Sequence, residues 1–311
     1  DEIKKNGESY YLISEEKRRE MVKRSVAAIT DIYQNSILKD SSRNSFMIKR
    51  MEDLADRTVW AMGEQLKCGD FVPFVFEHKF NMEVGDGDRK QLMSGTIDRV
   101  DICENGTDVY VRIIDYKTGK KDFNIVKTYY GIDIQLMVYM EAAMKLVAKM
   151  RPGKNVIPAG VFYYNISDPI VSATTESAEE IEDKIKGELR LKGMVNSDKD
   201  IAEKMDNTEG TSLNIPVSRK ADGGFDSRRS KVMNTEQFNI LGRFVDVRAI
   251  DTADRIAGGD IRRSPYKDGQ FSSCDRCPYG AVCGFSVDLP GCNYRKLKKF
   301  DDEVLWNLSL I

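Results

Sequence analysis

Apolar residues recur at three- and four-residue steps from Glu15 to Thr30 and again from Phe46 to Leu66, with Lys, Arg and Glu between them. This spacing predicts two amphipathic helices, parted by the Lys39–Ser45 stretch. Phe71–Met82 reads as a strand entered through Gly69-Asp70, and Pro73 within it marks an edge strand. Gly85-Asp86-Gly87-Asp88 reads as a turn. Two β-rich runs then flank Asn105-Gly106, the signal of a two-residue hairpin loop. Thr128–Lys149 is apolar nearly all round and predicts one buried helix, stopped by Arg151-Pro152-Gly153; Val156–Asn165 predicts another strand. Glu176–Leu191 reads as a helix, residues 195–230 as a long polar loop or insertion, and Thr235–Ile256 as a helix closed by Gly258-Gly259. A cysteine segment and a short final helix complete the chain. The order of elements predicts an α/β fold: one mixed sheet flanked by helices, with helical additions.

The hairpin carries the chemistry. With Asn105-Gly106 as the loop, Asp98 pairs with Ile113, and one face holds Asp98, Val100, Ile102, Val109, Val111, Ile113, Asp115 and Lys117. That face is aliphatic in the middle and turns to Asp, Asp and Lys at one end, with the two acids as diagonal neighbours. Carboxylates crowded on an apolar face repel one another and are costly to bury; a divalent cation between them resolves both problems. Hard oxygen donors suit Mg²⁺ or Mn²⁺. Lys117, two residues beyond Asp115, points the same way and can orient a water or stabilise charge on a phosphate oxygen. The alternative is a pair of ordinary surface acids, and their place on the aliphatic face counts against it. Gln135 and Tyr139, four residues apart, share a helix face. A buried Gln needs partners, which an active-site water or phosphate would supply, or else the two are plain core residues.

Bulk composition narrows the field. The 311 residues are 41% hydrophobic and 32% charged, with a net charge of −2, so the chain has material for a core and no overall basic field. No run approaches the length needed to span a membrane. Asp1 in place of an initiating Met suggests a piece of a longer protein. Four of the six cysteines fall in the last 40 residues, which favours a metal or cluster site in a reducing cytoplasm. Cys274, Cys277 and Cys283 have metal-ligand spacing; Cys292 as a fourth zinc ligand, or free thiols throughout, are alternatives. Cys68 and Cys103 read as ordinary thiols. Lys120, Lys121 and Lys127 follow the strand that carries Asp115 and Lys117 and could contact a phosphate backbone; Arg228, Arg229 and Lys231, and Arg262, Arg263 and Lys267, are weaker basic groups. The chain has no phosphate-binding P-loop.

Gly95-x-Ile97-Asp98-Arg99, Asp115-Tyr116-Lys117-Thr118-Gly119 and Gln135-x-x-x-Tyr139 together resemble the RecB-type branch of the PD-(D/E)XK nucleases, and within it the nuclease domains of AddAB helicase–nucleases. The resemblance also takes in Gly69-x-Phe71-x-Pro73 leading to Glu77, and the tail from Cys274 to Arg295. It implies a single nuclease domain over residues 1–311, with a catalytic core at 68–166 and a cysteine-rich tail at 260–311. It implies Asp98, Asp115 and the Tyr116 carbonyl as metal ligands, Lys117 as the catalytic lysine, and Gln135 and Tyr139 orienting it or the scissile strand. It implies Cys274, Cys277 and Cys283 as ligands of a [4Fe–4S] cluster, DNA as substrate, and an AddA-like helicase–nuclease subunit as heterodimeric partner. Two departures stand out. The family's metal-binding His lies on an upstream helix, whereas the only His here is His78, read as a strand residue beside Glu77, which stands outside the metal's ligands. No cysteine precedes Cys68, so the family's fourth cluster ligand is missing from this sequence. The second reading is therefore a non-cutting DNA-end-binding or scaffold module.

Overall fold

The structure is a computed structural model that describes residues 3, 9–32, 41–85, 90–172 and 176–300. The chain divides into two compact units, residues 1–80, 95–123 and 139–238, and residues 81–94, 124–138 and 239–311. Two helices open it: α1 (Glu15–Ile32) and α2 (Ser42–Lys67), the latter capped by the Ser41 side chain, which accepts from the Asn44 N–H. Their expected separation falls partly on 33–40, outside the described residues, as do most of the turn at 85–88 and the final helix expected within 301–311.

A six-stranded sheet follows in the order β1 (Val72–Val84), β2 (Gln91–Asn105), β3 (Asp108–Lys117), β4 (Asn155–Asn165), β5 (Lys192–Asn196), β6 (Val232–Met233). β1 lies at the edge, where its Pro73 is tolerated. β2–β3 and β4–β5 run antiparallel, β3–β4 and β5–β6 parallel. A parallel β3–β4 pair needs a crossover, and α3 (Ile125–Tyr129) and α4 (Gln135–Met150) supply it. The single helix expected over Thr128–Lys149 is thus two. Gly131 turns left-handed at φ +73°, and the Thr128 hydroxyl donates to the Asp133 carbonyl at 2.9 Å, ending the first helix. Arg151-Pro152-Gly153 does end α4, with Gly153 at φ +81°.

The hairpin turn is Gly106-Thr107, not Asn105-Gly106: Asn105 pairs with Asp108, and Gly106 takes φ +59°. The slide moves each cross-strand partner by two positions, so every residue keeps its face. Both faces are buried over the paired stretch, from Arg99 to Cys103 on β2 and from Val109 to Asp115 on β3. One face joins a core of Phe71, Tyr110, Ile114, Phe162, Tyr164 and Leu191, with Ala61 of α2 packed there. After α5 (Ala178–Glu188), the polar stretch 195–230 is not a plain loop. It begins with the end of β5, contains α6 (Lys199–Met205), and buries Asp206, Ser212, Asn214 and Ser218. Asp206 Oδ2 accepts from the Ser212 hydroxyl and the Asn214 amide, so burial here is by mutual hydrogen bonding.

The second unit holds most of α7 (Thr235–Ala257), closed at Gly259 with φ +69° as expected, and a small sheet of β7 (Tyr266–Asp268), β8 (Phe271–Ser272) and β9 (Arg295–Lys296), with α8 (Gly280–Cys283) beside them in sequence. Among the described residues no helix is long and apolar enough to cross a membrane.

Candidate active site

Strands β2 and β3 pair from Arg99↔Ile114 to Asn105↔Asp108, and one further step sets Asp98 directly opposite Asp115 rather than diagonal to it. Asp115 is 2% exposed and Asp98 half-buried. The Tyr116 N–H donates to Asp98 Oδ2 at 2.7 Å. Lys117 Nζ approaches Asp115 Oδ2 at 2.5 Å. The ion pair with Lys117 is the contact that Oδ2 makes in its buried setting. Burial pushes the Asp115 carboxyl above the ordinary carboxylate range; Lys117 opposes the rise and the charge of Asp98 adds to it.

A buried carboxylate whose charged form burial disfavours, facing a second acid, fits a hard divalent cation such as Mg²⁺ or Mn²⁺. Among the described residues no three His, Cys, Asp or Glu side chains converge as a ligand group, so the donor set is the carboxylate pair plus backbone. Glu77 stands exposed on β1 at φ +49°, the only non-glycine at positive φ among the described residues. Slight burial and then the charge of Asp98 raise its carboxyl pKa, so it feels the pair from outside it. His78 is half-buried on the same strand.

Gly95 is explained by packing. A Cβ there would lie 2.8 Å from the Phe80 ring and 3.3 Å from that of Tyr139. Phe80 and Tyr139 meet edge to face with centroids 5.7 Å apart, and only glycine lets β2 pass beneath them. Tyr139 is thereby held half-buried one turn into α4. Gln135 opens α4 and belongs to the second unit.

The lysines separate. Lys117 and Lys121 both lie over the buried Tyr163 ring, at 5.7 and 5.4 Å from its centroid. Lys120 is exposed, and with Lys121, Asn165 and Lys192 it lines a cavity of about 590 Å³ in the first unit. Asn165 clamps this loop, accepting from the Lys121 N–H and donating to the Lys121 carbonyl, each at 3.0 Å. Lys127 belongs to the second unit and pairs with Asp268 at 3.5 Å. Of the weaker basic groups, Arg262 is bound to Asp260 at 2.7 Å, Arg263 donates to the Gly284 carbonyl at 3.1 Å, and Lys231 pairs with Asp122 at 2.5 Å.

The opposite face of the hairpin holds residues that sequence reasoning gave no role. There Arg99, Asp101 and Arg112 form a buried ion cluster, with Asp101 directly across from Arg112 in the register. Burial works to raise the Asp101 pKa, but the two guanidiniums overcome it and hold the carboxyl below its ordinary value. Alternating Arg and Asp at positions 99 and 101, with Arg at the cross-strand partner 112, was the available signal.

Cys277 is exposed, while Cys274, Cys283 and Cys292 are half-buried, and all four are free thiols. Among the described residues no three of these cysteines meet as a metal-holding group.

Residues 8–284 match the family described as the PD-(D/E)XK nuclease superfamily. Proteins named as B-type subunits of an ATP-dependent helicase/deoxyribonuclease are similar along most of the chain. That of Lachnoclostridium phytofermentans is 34% identical over 310 residues, covering 96% of this chain and 26% of its own length. That of Thermoanaerobacter sp. is 35% identical over 283 residues (88% and 24%), and that of Clostridium botulinum 36% over 282 residues (87% and 24%). The chain spans about a quarter of the length of these relatives. By this match, and by a mixed sheet that sets Asp98, Asp115 and Lys117 on one face of its central hairpin, the chain belongs to the PD-(D/E)XK nuclease superfamily.

Proposed function

We propose that this domain hydrolyses phosphodiester bonds of DNA in a Mg²⁺- or Mn²⁺-dependent reaction, acting on single strands delivered by a helicase–nuclease during processing of broken ends. The observation that carries the reading is the buried Asp115 carboxylate, set against Asp98 across the hairpin and ion-paired with Lys117. Asp98, Asp115 and the Tyr116 carbonyl would hold the ion, which when bound lowers the pKa of water and neutralises charge on the phosphate. Asp98 is oriented for this by the Tyr116 N–H. Lys117, anchored on Asp115, donates toward the attacking water or a phosphate oxygen as charge builds there. Tyr139, wedged against Phe80, and Gln135 at the start of α4 orient the lysine or the scissile strand. Lys120 and Lys121, with Lys127, contact the phosphate backbone. The names of the relatives support a helicase partner; an AddA-like subunit would fill that place in a heterodimer, in the cytoplasm. Cys274, Cys277 and Cys283 would hold a [4Fe–4S] cluster as a structural staple, completed by a ligand from outside this sequence.

The second reading, a non-cutting DNA-end-binding module, is favoured by the absence of a third carboxylate or His ligand among the described residues. The deciding experiment supplies Mg²⁺ or Mn²⁺ and single-stranded DNA to the intact protein. Cleavage lost in Asp98→Ala and Lys117→Ala supports the nuclease; an intact protein that binds DNA ends and never cuts them supports the module.

A further inference from the structure

Behind the metal face, the hairpin buries charges that the reaction never touches. Arg99, Asp101 and Arg112 are 1, 0 and 1% exposed. Arg99 grips Asp101 with two hydrogen bonds of 2.6 Å; Arg112 Nε adds a third at 2.9 Å, and its guanidinium lies 4.9 Å over the Phe71 ring. Buried ion clusters of this kind are poor stabilisers, since well-packed apolar residues of similar volume do as well or better. Stability alone does not account for such a cluster, and the geometry supplies a further role. Arg99 Nη1 reaches out of the cluster to the Tyr116 hydroxyl at 3.3 Å. That hydroxyl donates onward to Met62 Sδ at 3.8 Å, and the ring meets Tyr164 edge-on at 5.5 Å. Tyr116 therefore spans the sheet. Its phenol is fixed behind, while its N–H holds Asp98 Oδ2 in front at 2.7 Å.

We propose that Arg99 and Asp101 are positioning residues for the metal centre. Acting through the Tyr116 phenol, they set the backbone that orients Asp98 and presents the Tyr116 carbonyl. The link joins β2 to β3 one residue from each of the facing acids, so a small slip there would reach both of them. This inference rests on the metal-dependent reading, and its test separates the two.

Mn²⁺ binding to the intact protein is followed by the EPR signal of the free ion, with no DNA or nucleotide present. Asp98→Ala identifies the site: if wild type and Asp98→Ala bind alike, the metal reading itself fails. Tyr116→Phe keeps the ring and removes only the hydroxyl. The expected result is a rise of about five-fold in half-saturating Mn²⁺, the worth of one hydrogen bond, with an unchanged far-ultraviolet spectrum. Arg99→Lys keeps the charge but loses the planar fork, and a rise at least as large is expected. The double variant should bind no more weakly than Arg99→Lys alone, because both changes cut the same link. Unchanged Mn²⁺ affinity in Tyr116→Phe, even with a lower melting temperature, overturns the proposal and leaves the cluster a structural feature. Additive losses in the double variant overturn it too. Should Arg99→Lys fail to fold, Tyr116→Phe decides alone.

Discussion

The catalytic hairpin and the cysteine-rich tail are two candidate metal sites built on opposite terms. Strands β2 and β3 lie inside a six-stranded sheet and are buried on both faces, and their register alone sets Asp98 against Asp115. In the tail, Cys274, Cys277 and Cys283 sit beside strands of two or three residues, with Tyr279 69% and Val282 82% exposed. Ladder hydrogen bonds and apolar packing on both sides pre-organise the hairpin, so a metal there adds chemistry. So little surface is buried in the tail that a metal there would add fold.

The strongest way to break this contrast is to remove a carboxylate charge. Asp115→Asn should lower DNA cleavage by about three orders of magnitude, since several kcal/mol of metal-derived charge stabilisation go with it. It should leave the melting temperature of the metal-free protein unchanged or raised, because it removes a buried charge that burial disfavours more than Lys117 supports it. A calorimetric scan beside a cleavage assay reads both. A variant that unfolds would show that the ion pair with Lys117 holds the hairpin together, against the view that β2 and β3 stand without it.

Next in size is the tail. Cys274→Ser with Cys277→Ser should abolish iron content per chain and open residues 260–300 to limited proteolysis. Protection of the β2–β3 amides from hydrogen exchange should be untouched. Loss of protection in the hairpin would mean that the two sites are not energetically independent.

A smaller, more local effect is expected from Gly95→Ala. The new methyl would press on Phe80 and Tyr139, costing about 1–3 kcal/mol of stability as an overpacked contact, with a drop in turnover as Tyr139 shifts. A double variant with Phe80→Leu should recover part of both. No recovery would place the role of Gly95 elsewhere.

What the sequence revealed follows from which signals survive an error of detail. The face shared by Asp98, Asp115 and Lys117 was legible because strand periodicity is two, and a turn displaced to Gly106-Thr107 leaves parity intact. The Arg99–Asp101–Arg112 cluster was not: charged side chains read as solvent-facing until the register shows that Asp101 neutralises Arg112 across the strand. The break between α3 and α4 was hidden because Ile132 and Ile134 continue the apolar pattern past Gly131. Residues 195–230 looked like loop by composition, yet Ser212 and Asn214 are buried because Asp206 satisfies them. Hydropathy records the cost of burying a polar group and says nothing of the partner that offsets it.

The smallest expected effect separates lysines that the sequence grouped together. Lys120 is exposed on the loop that leaves β3 and lines the cavity with Lys121 and Lys192, whereas Lys127 is engaged with Asp268 at 3.5 Å in the unit that holds the cysteine tail. An exposed cation that neutralises a phosphate of a single strand releases about 0.7 of a counterion, and the slope of log affinity against log salt should fall by that amount in Lys120→Ala. A lysine that must first leave a carboxylate gains less, so Lys127→Ala should change the slope by clearly less. The measurement is a salt titration of single-strand binding to the intact protein in Ca²⁺, to hold back cleavage. If Lys127→Ala shifts the slope as much as Lys120→Ala, the Asp268 pair opens on binding, and Lys127 meets a phosphate as fully as Lys120 does.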